Sequence, residues 1–339
     1  MFERHLMEDA LRVVRDEMPP TPQQRWPLLD ERLGAQVWVK HENHTAVGAF
    51  KLRGGLVYIE ALRRRAPDVR GVISATRGNH GQSIGYAARR HGLAASIVVP
   101  HGNSVEKNAA MRALGVELIE HGDDFQAARE HAARLADERG LHMVPSYHDD
   151  LVRGVATYWV EFFGAFAPGH APELVFVPIG QGSGICACAA ARAYVGATTR
   201  IIGVVSAHAT AYQQSFREGR LIEAPVTTQL ADGLACRVPD AQALAMIRRE
   251  VDDVIAVTDA QIGEAMRALF SDTHNVAEGA GAAALAGALV QRERWQGRRI
   301  GIALTGGNVD SAVFAQVLGA APPISGATPS SPERTYSLR

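Results

Sequence analysis

The sequence is short of the features that would place it at a glance. It holds three cysteines in 339 residues, Cys186, Cys188 and Cys236. An odd number with one C-x-C pair offers neither a disulfide framework nor the four ligands of a structural zinc site. Cys186 and Cys188 lie in an Ala-rich run and read as small helix-packing residues. An excess of either charge is missing, since 35 basic and 36 acidic residues leave a formal net charge of -1. Neither nucleic acid nor an anionic membrane is therefore expected as a partner. No stretch reaches ~18 apolar residues without a charge, so no helical membrane span is expected. Met1 to Pro20 is charged and lacks the apolar segment of a signal peptide, which makes the cytoplasm the expected location.

What is present is ordinary globular material, 47% hydrophobic and 21% charged, in a length that suggests two domains. Short apolar runs alternate with helical patterns. Val37–Val39, Gly71–Ser74, Ala95–Val99, Val116–Ile119, Leu174–Val177, Ile201–Val205, Val254–Val257 and Ile300–Leu304 read as strands, mostly apolar throughout, as suits parallel strands buried on both faces. Gln82–Arg90, Val105–Leu114, Phe125–Glu138, Ile185–Tyr194, Asp259–Phe270 and Ala280–Arg292 read as helices between them. The alternation predicts an open, twisted α/β sheet with right-handed crossovers. Ser146–Phe166 is helix-like and would carry the chain from one domain back to the other. The segment from Ala320 to Arg339 is rich in Pro, Ser and Thr and is expected to lack order.

Four segments carry chemistry. In Gly48-Ala49-Phe50-Lys51-Leu52-Arg53-Gly54-Gly55 a lysine stands just before a helix start, where the macrodipole opposes it. It is either a solvated lysine or an amine that an apolar pocket makes easier to deprotonate. Ser74-Ala75-Thr76-Arg77-Gly78-Asn79-His80-Gly81-Gln82 follows a predicted strand and opens a helix. Its N–H groups suit an anion, unless Asn79 and His80 only cap the helix. Pro178-Ile179-Gly180-Gln181-Gly182-Ser183-Gly184 also joins a strand to a helix. It is neither a dinucleotide fingerprint nor a Walker loop, which leaves a phosphate cup or an ordinary turn. Leu304-Thr305-Gly306-Gly307-Asn308-Val309-Asp310, at another strand end, presents the Thr305 hydroxyl.

Together, in this order and at these distances, the four segments resemble the threonine/serine dehydratase branch of the fold-type II pyridoxal-phosphate enzymes, which includes serine racemase. The resemblance runs from about Thr21 to about Gly319. Lys40-His41-Glu42, Ala231-Asp232-Gly233-Leu234 and Glu278-Gly279-Ala280-Gly281 add to it. It implies the tryptophan synthase β-like fold, two open, twisted, mostly parallel sheets flanked by helices. It also implies a large domain of 1–52 and 153–320 that binds pyridoxal 5'-phosphate, a small domain of 53–152 inserted in it, and a disordered tail, 321–339. Lys51 matches the Schiff-base lysine and Phe50 its neighbour. Asn79 matches the partner of the cofactor's ring hydroxyl, and Gly180, Gln181, Gly182, Ser183 and Gly184 match the phosphate loop. Thr305 matches the hydroxyl on the pyridine nitrogen. Thr76, Asn79 and His80 match the loop that receives the substrate carboxylate.

The implied reaction is α,β-elimination from a β-hydroxy amino acid, threonine or serine by default, to a 2-oxo acid and ammonia. The freed Lys51 amine acts as the α-proton base and the cofactor as electron sink. A homodimer or tetramer is expected. The chain departs from the family pattern in several places. Ala49 replaces the usual serine before Phe-Lys, and Gln181 and Ser183 interrupt a run of glycines. Arg77 stands where serine racemase has a catalytic serine. As a poor acid or base it makes racemisation weak, and it would bind the cofactor phosphate or a substrate carboxylate, or else face solvent or pair across the cleft. Val205 stands where metal-dependent relatives have a glutamate, so no metal is expected. The early end of the chain suggests a catabolic enzyme without isoleucine feedback. The alternatives are a dehydratase for phenylserine or 3-hydroxyaspartate, an amino-acid racemase, and a catalytically silent binding protein.

Overall fold

The computed structural model describes residues 2–320. The expected disordered tail lies outside them. Among the described residues there are ten strands: β1 (Gln23–Arg25), β2 (Gln36–His41), β3 (Gly71–Ala75), β4 (Ala94–Val99), β5 (Glu117–Glu120), β6 (His142–Met143), β7 (Leu174–Pro178), β8 (Arg200–Ser206), β9 (Asp253–Val257) and β10 (Arg299–Leu304). They form a six-stranded sheet, β1-β2-β10-β7-β8-β9, and a four-stranded sheet, β5-β4-β3-β6. Every pairing is parallel except β1 against β2. The eight strands expected from apolar runs are all there. β1 and β6 escape such a reading because they are short, polar and incompletely buried.

Burial explains the parallel arrangement. Val175, Phe176, Ile201, Val204, Ile300 and Ile302 are buried, and helices cover both faces of their sheet. One face packs on Asp149–Gly164 and Ser183–Val195, and the other on the Ala- and Gly-rich helix Gly279–Val290. The four-stranded sheet has its own cores, built on Leu52, Leu56, Ile84, Val99 and Met111 on one side and Ile73, Val98, Ala128 and Ala132 on the other. The amphipathic helix Arg4–Arg15 serves both layers. Met7 and Leu11 join the core of the six-stranded sheet, while Ala10, Val13 and Val14 join that of the four-stranded sheet.

The strand-to-helix loops that matter all open where the two sheets meet. Lys51 is the first residue of its helix, Lys51–Arg65, rather than a residue ahead of it. The segment is pinned to the loop after β10: Phe50 N donates to Thr305 O at 2.9 Å, Gly307 N donates to Gly48 O at 2.9 Å, and Ala49 bridges Gly306. Beneath the helix start lies a buried charge network. Arg53, with no exposure, donates to Glu42 at 2.8 and 3.0 Å and to Glu161 at 2.7 and 2.9 Å. Lys40 donates to Glu161 at 2.7 Å. Burial works against the Arg53 charge, but the two carboxylates outweigh it and hold its pKa above the ordinary value.

Candidate active site

One cleft of about 1050 Å³, its open mouth included, is lined by Phe50, Lys51, Thr76, Arg77, Asn79, His80, all five residues from Gly180 to Gly184, and Thr305. The structure thus brings together every residue given a catalytic, cofactor or substrate role from the sequence. Asn79 and His80 do not cap their helix; Gly78 occupies the N-cap and both lie in the first turn.

Lys51 is the most unusual group there. Its Nζ donates to Ser183 Oγ at 3.1 Å, and among the described residues it has no carboxylate partner. Burial pushes its pKa down from 10.5 to about 8, because nothing nearby repays the ammonium for its lost hydration. His80 is buried, and its Nε2 has no partner. Burial first, and the Lys51 charge second, push its pKa down to about 3, so the imidazole is neutral at physiological pH. Thr76 Oγ1 accepts from Gly78 N at 3.0 Å, which shapes the turn beneath them.

Opposite Lys51, the loop 180–184 runs into the helix Ser183–Val195. Among the described residues, no backbone N–H from Gly180 to Gly184 meets a protein acceptor. Several unpaired donors at a helix N-terminus form an anion cup. The glycines serve different ends. Gly182 has φ +96°, and a Cβ there would lie 2.7 Å from that of Ala243. A Cβ at Gly180 would collide with the Gly233 carbonyl, so packing by itself requires a glycine there. Thr305 is buried, with Oγ1 only 3.5 Å from Ala280 O, a weak contact that leaves the hydroxyl available to the cleft.

A match to the family model for pyridoxal-phosphate dependent enzymes spans residues 14–306. The chain belongs to that family. It is 31% identical over 311 residues to the L-threo-3-hydroxyaspartate ammonia-lyase of Saccharomyces cerevisiae, covering 91% of this chain and 94% of that enzyme. It is 34% identical over 291 residues to the L-threonine ammonia-lyase of Geobacter sulfurreducens, covering 85% of this chain and 71% of that one. Maize serine racemase superposes with a TM-score of 0.85 at 27% identity, covering 94% of this chain and 97% of the other. The cofactor is pyridoxal phosphate and the chain is an enzyme of the ammonia-lyase type. The site fits that cofactor on its own chemistry: a half-buried amine without a counter-ion suits an aldehyde, and a cup of free N–H groups suits a phosphate.

The cleft also holds residues to which the sequence reading assigned no role. Lys107, from the helix Val105–Ala113, meets Asp232 and Glu278, and all three line the cleft with Phe125, Ser146 and Tyr158. The motifs around Asp232 and Glu278 were visible; Lys107 had no signal, since its partners lie 125 and more residues away. Arg77 differs from Lys107. Half-buried, it lines this cleft and a second one beside it, and among the described residues it makes no hydrogen bond or ion pair. The expectation that it pairs across the cleft is thus not met. Among the described residues no helix is long and apolar enough to cross a membrane.

Proposed function

We propose that this enzyme converts a β-hydroxy amino acid into a 2-oxo acid and ammonia, with threonine or serine as the default substrate. The observation that carries the reading is the Lys51 amine, half-buried without a counter-ion beside an open cup of N–H groups. In this reading Lys51 holds the cofactor, Gly180 to Gly184 bind its phosphate, Asn79 meets its ring oxygen and Thr305 its ring nitrogen. When bound, the cofactor supplies the electron sink that makes loss of an α-proton feasible. Lys51 removes that proton. With a pKa near 8, a useful share of its amine is unprotonated at neutral pH, and Ser183 Oγ holds it in place. In this reading His80, its pKa lowered by burial and by the Lys51 charge, is neutral and orients the substrate with Thr76 and Asn79. The Thr305 hydroxyl leaves the ring nitrogen less positive than a carboxylate would, which favours β-elimination over chemistry that needs a long-lived carbanion.

A second reading concerns the substrate. An unpaired guanidinium on the cleft wall supports a substrate with a second carboxylate, such as 3-hydroxyaspartate, and the yeast relative bears that activity in its name. The same proposal includes a small domain, 53–152, inserted in a large one, a homo-oligomeric state and a cytoplasmic location.

The test is a screen of β-hydroxy amino acids for 2-oxo-acid release by the cofactor-loaded protein. Lys51→Ala should abolish turnover. Arg77→Ala should raise KM for 3-hydroxyaspartate at least tenfold and spare threonine, as loss of a charged hydrogen-bond pair requires. An unchanged preference would remove Arg77 from substrate selection, and no 2-oxo acid from any substrate would refute the lyase reading.

A further inference from the structure

A chain of hydrogen bonds and ion pairs runs along the cleft, and the reaction above uses only Asn79 of it. Lys107 is buried and donates to Asp232 Oδ2 at 2.8 Å; its Nζ lies 3.0 Å from Glu278 Oε2. Glu278, also buried, accepts at Oε1 from Asn79 Nδ2 at 2.5 Å. On the other side, Asn79 Oδ1 accepts from Asn308 Nδ2 at 2.8 Å, and the same Asn308 amide donates to Val47 O at 2.8 Å.

This pattern allows one orientation of Asn79. The Val47 carbonyl can only accept, so Asn308 must point its nitrogen that way, and it offers its second N–H to Asn79. An ionised Glu278 can also only accept. If the Asn79 amide were turned over, its nitrogen would face the nitrogen of Asn308 and its oxygen would face the Glu278 carboxylate. Two hydrogen bonds would become two repulsions in a buried site. Lys107 supports the ionised carboxylate. Burial raises the pKa of Glu278, and the Lys107 ammonium, itself held charged by Glu278 and Asp232, opposes that rise. With one N–H given to Glu278, Asn79 keeps one N–H for the cleft.

We propose that Glu278 and Asn308 are positioning residues that lock the Asn79 carboxamide with its N–H toward the cofactor's ring oxygen, so that this oxygen is held ionised rather than as a hydroxyl. The inference rests on the reading of Asn79 as the partner of that oxygen. Lys107 comes from a helix of the four-stranded layer, while Asp232 and Glu278 lie beside the helix Gly279–Val290 of the six-stranded one. The lock is therefore made across the two layers.

The test is the visible spectrum of the cofactor-loaded protein at one fixed neutral pH, for the unaltered chain, Asn79→Ala, Glu278→Gln and Asn308→Ala. The ratio of the two cofactor bands reports the ring oxygen as ionised or protonated. Glu278→Gln and Asn308→Ala should each move that ratio toward the protonated form by about tenfold, the worth of one hydrogen bond to a charged acceptor. Removing the Glu278 charge would, by its field alone, move the ratio the other way, so the direction separates orientation from field. Asn308→Ala changes no charge and decides the matter should Glu278→Gln fail to fold. If Asn79→Ala leaves the bands unmoved, the role given to Asn79 fails. If Asn79→Ala moves them and Asn308→Ala does not, or Glu278→Gln moves them toward the ionised form, the lock is overturned.

Discussion

Lys51 is costly to the fold before any cofactor binds, and that cost can be measured. Its pKa falls from 10.5 to about 8 on burial. At ~1.4 kcal/mol per pH unit this amounts to ~3 kcal/mol of stability lost to a charged amine without a partner. Below pH 8 the amine is protonated in both the folded and unfolded chain, so the loss is felt in full. Between pH 8 and 10.5 the unfolded chain binds more protons than the folded one, so stability rises with pH and the loss disappears. Lys51→Met keeps the bulk and removes the charge. Urea unfolding of the cofactor-free protein should find it about 3 kcal/mol more stable than the unaltered chain below pH 8, with the gap closing toward pH 10.5. Taking the difference between the two chains cancels the other groups that titrate in this range, such as the thiols of Cys186 and Cys236, which titrate near 9.0 in the unfolded chain and are pushed up to about 12 by burial in the folded one. A gap that is absent at pH 7, or that does not change with pH, would refute the account of Lys51 as a destabilised base.

Other perturbations separate the cup from its support. Gly182→Ala meets both a left-handed φ and the Ala243 side chain, so it should cost about 1–2 kcal/mol and weaken cofactor affinity, as read by unfolding and cofactor titration. Gly184→Ala, with its nearest neighbours at 3.8 Å, should leave stability unchanged or slightly raised, and an equal loss in both would refute the distinction. Arg53→Met leaves Glu42 and Glu161 buried with Lys40 as their remaining nearby cation, so it should cost about 3–5 kcal/mol in urea unfolding. A loss below 1 kcal/mol would show that the network is dispensable for anchoring the Lys51 helix.

The parallel sheets were legible in the sequence because strands buried on both faces must be apolar throughout, and the runs at Leu174, Ile201 and Ile300 show this without reference to anything distant. The cleft-lining loops were legible for a similar reason: a lysine, an asparagine and a glycine-rich turn at strand ends stand out in local order. The helix Arg4–Arg15 has an apolar pattern, but only its position between two cores explains why both of its apolar edges are used. The close approach of Gly180 to the carbonyl of Gly233, which leaves no room for a Cβ, joins residues too far apart in the chain to be read locally. The sequence by itself determined the kind of sheet and the family, and it singled out the Lys51 amine as the candidate base. The tertiary structure alone decided that Lys51 has no counter-ion, that Arg77 is unpaired while Lys107 is not, and how Asn79 is oriented. Each of these depends on which charges meet across the cleft, and such meetings join residues far apart in the chain, where no spacing or periodicity records them.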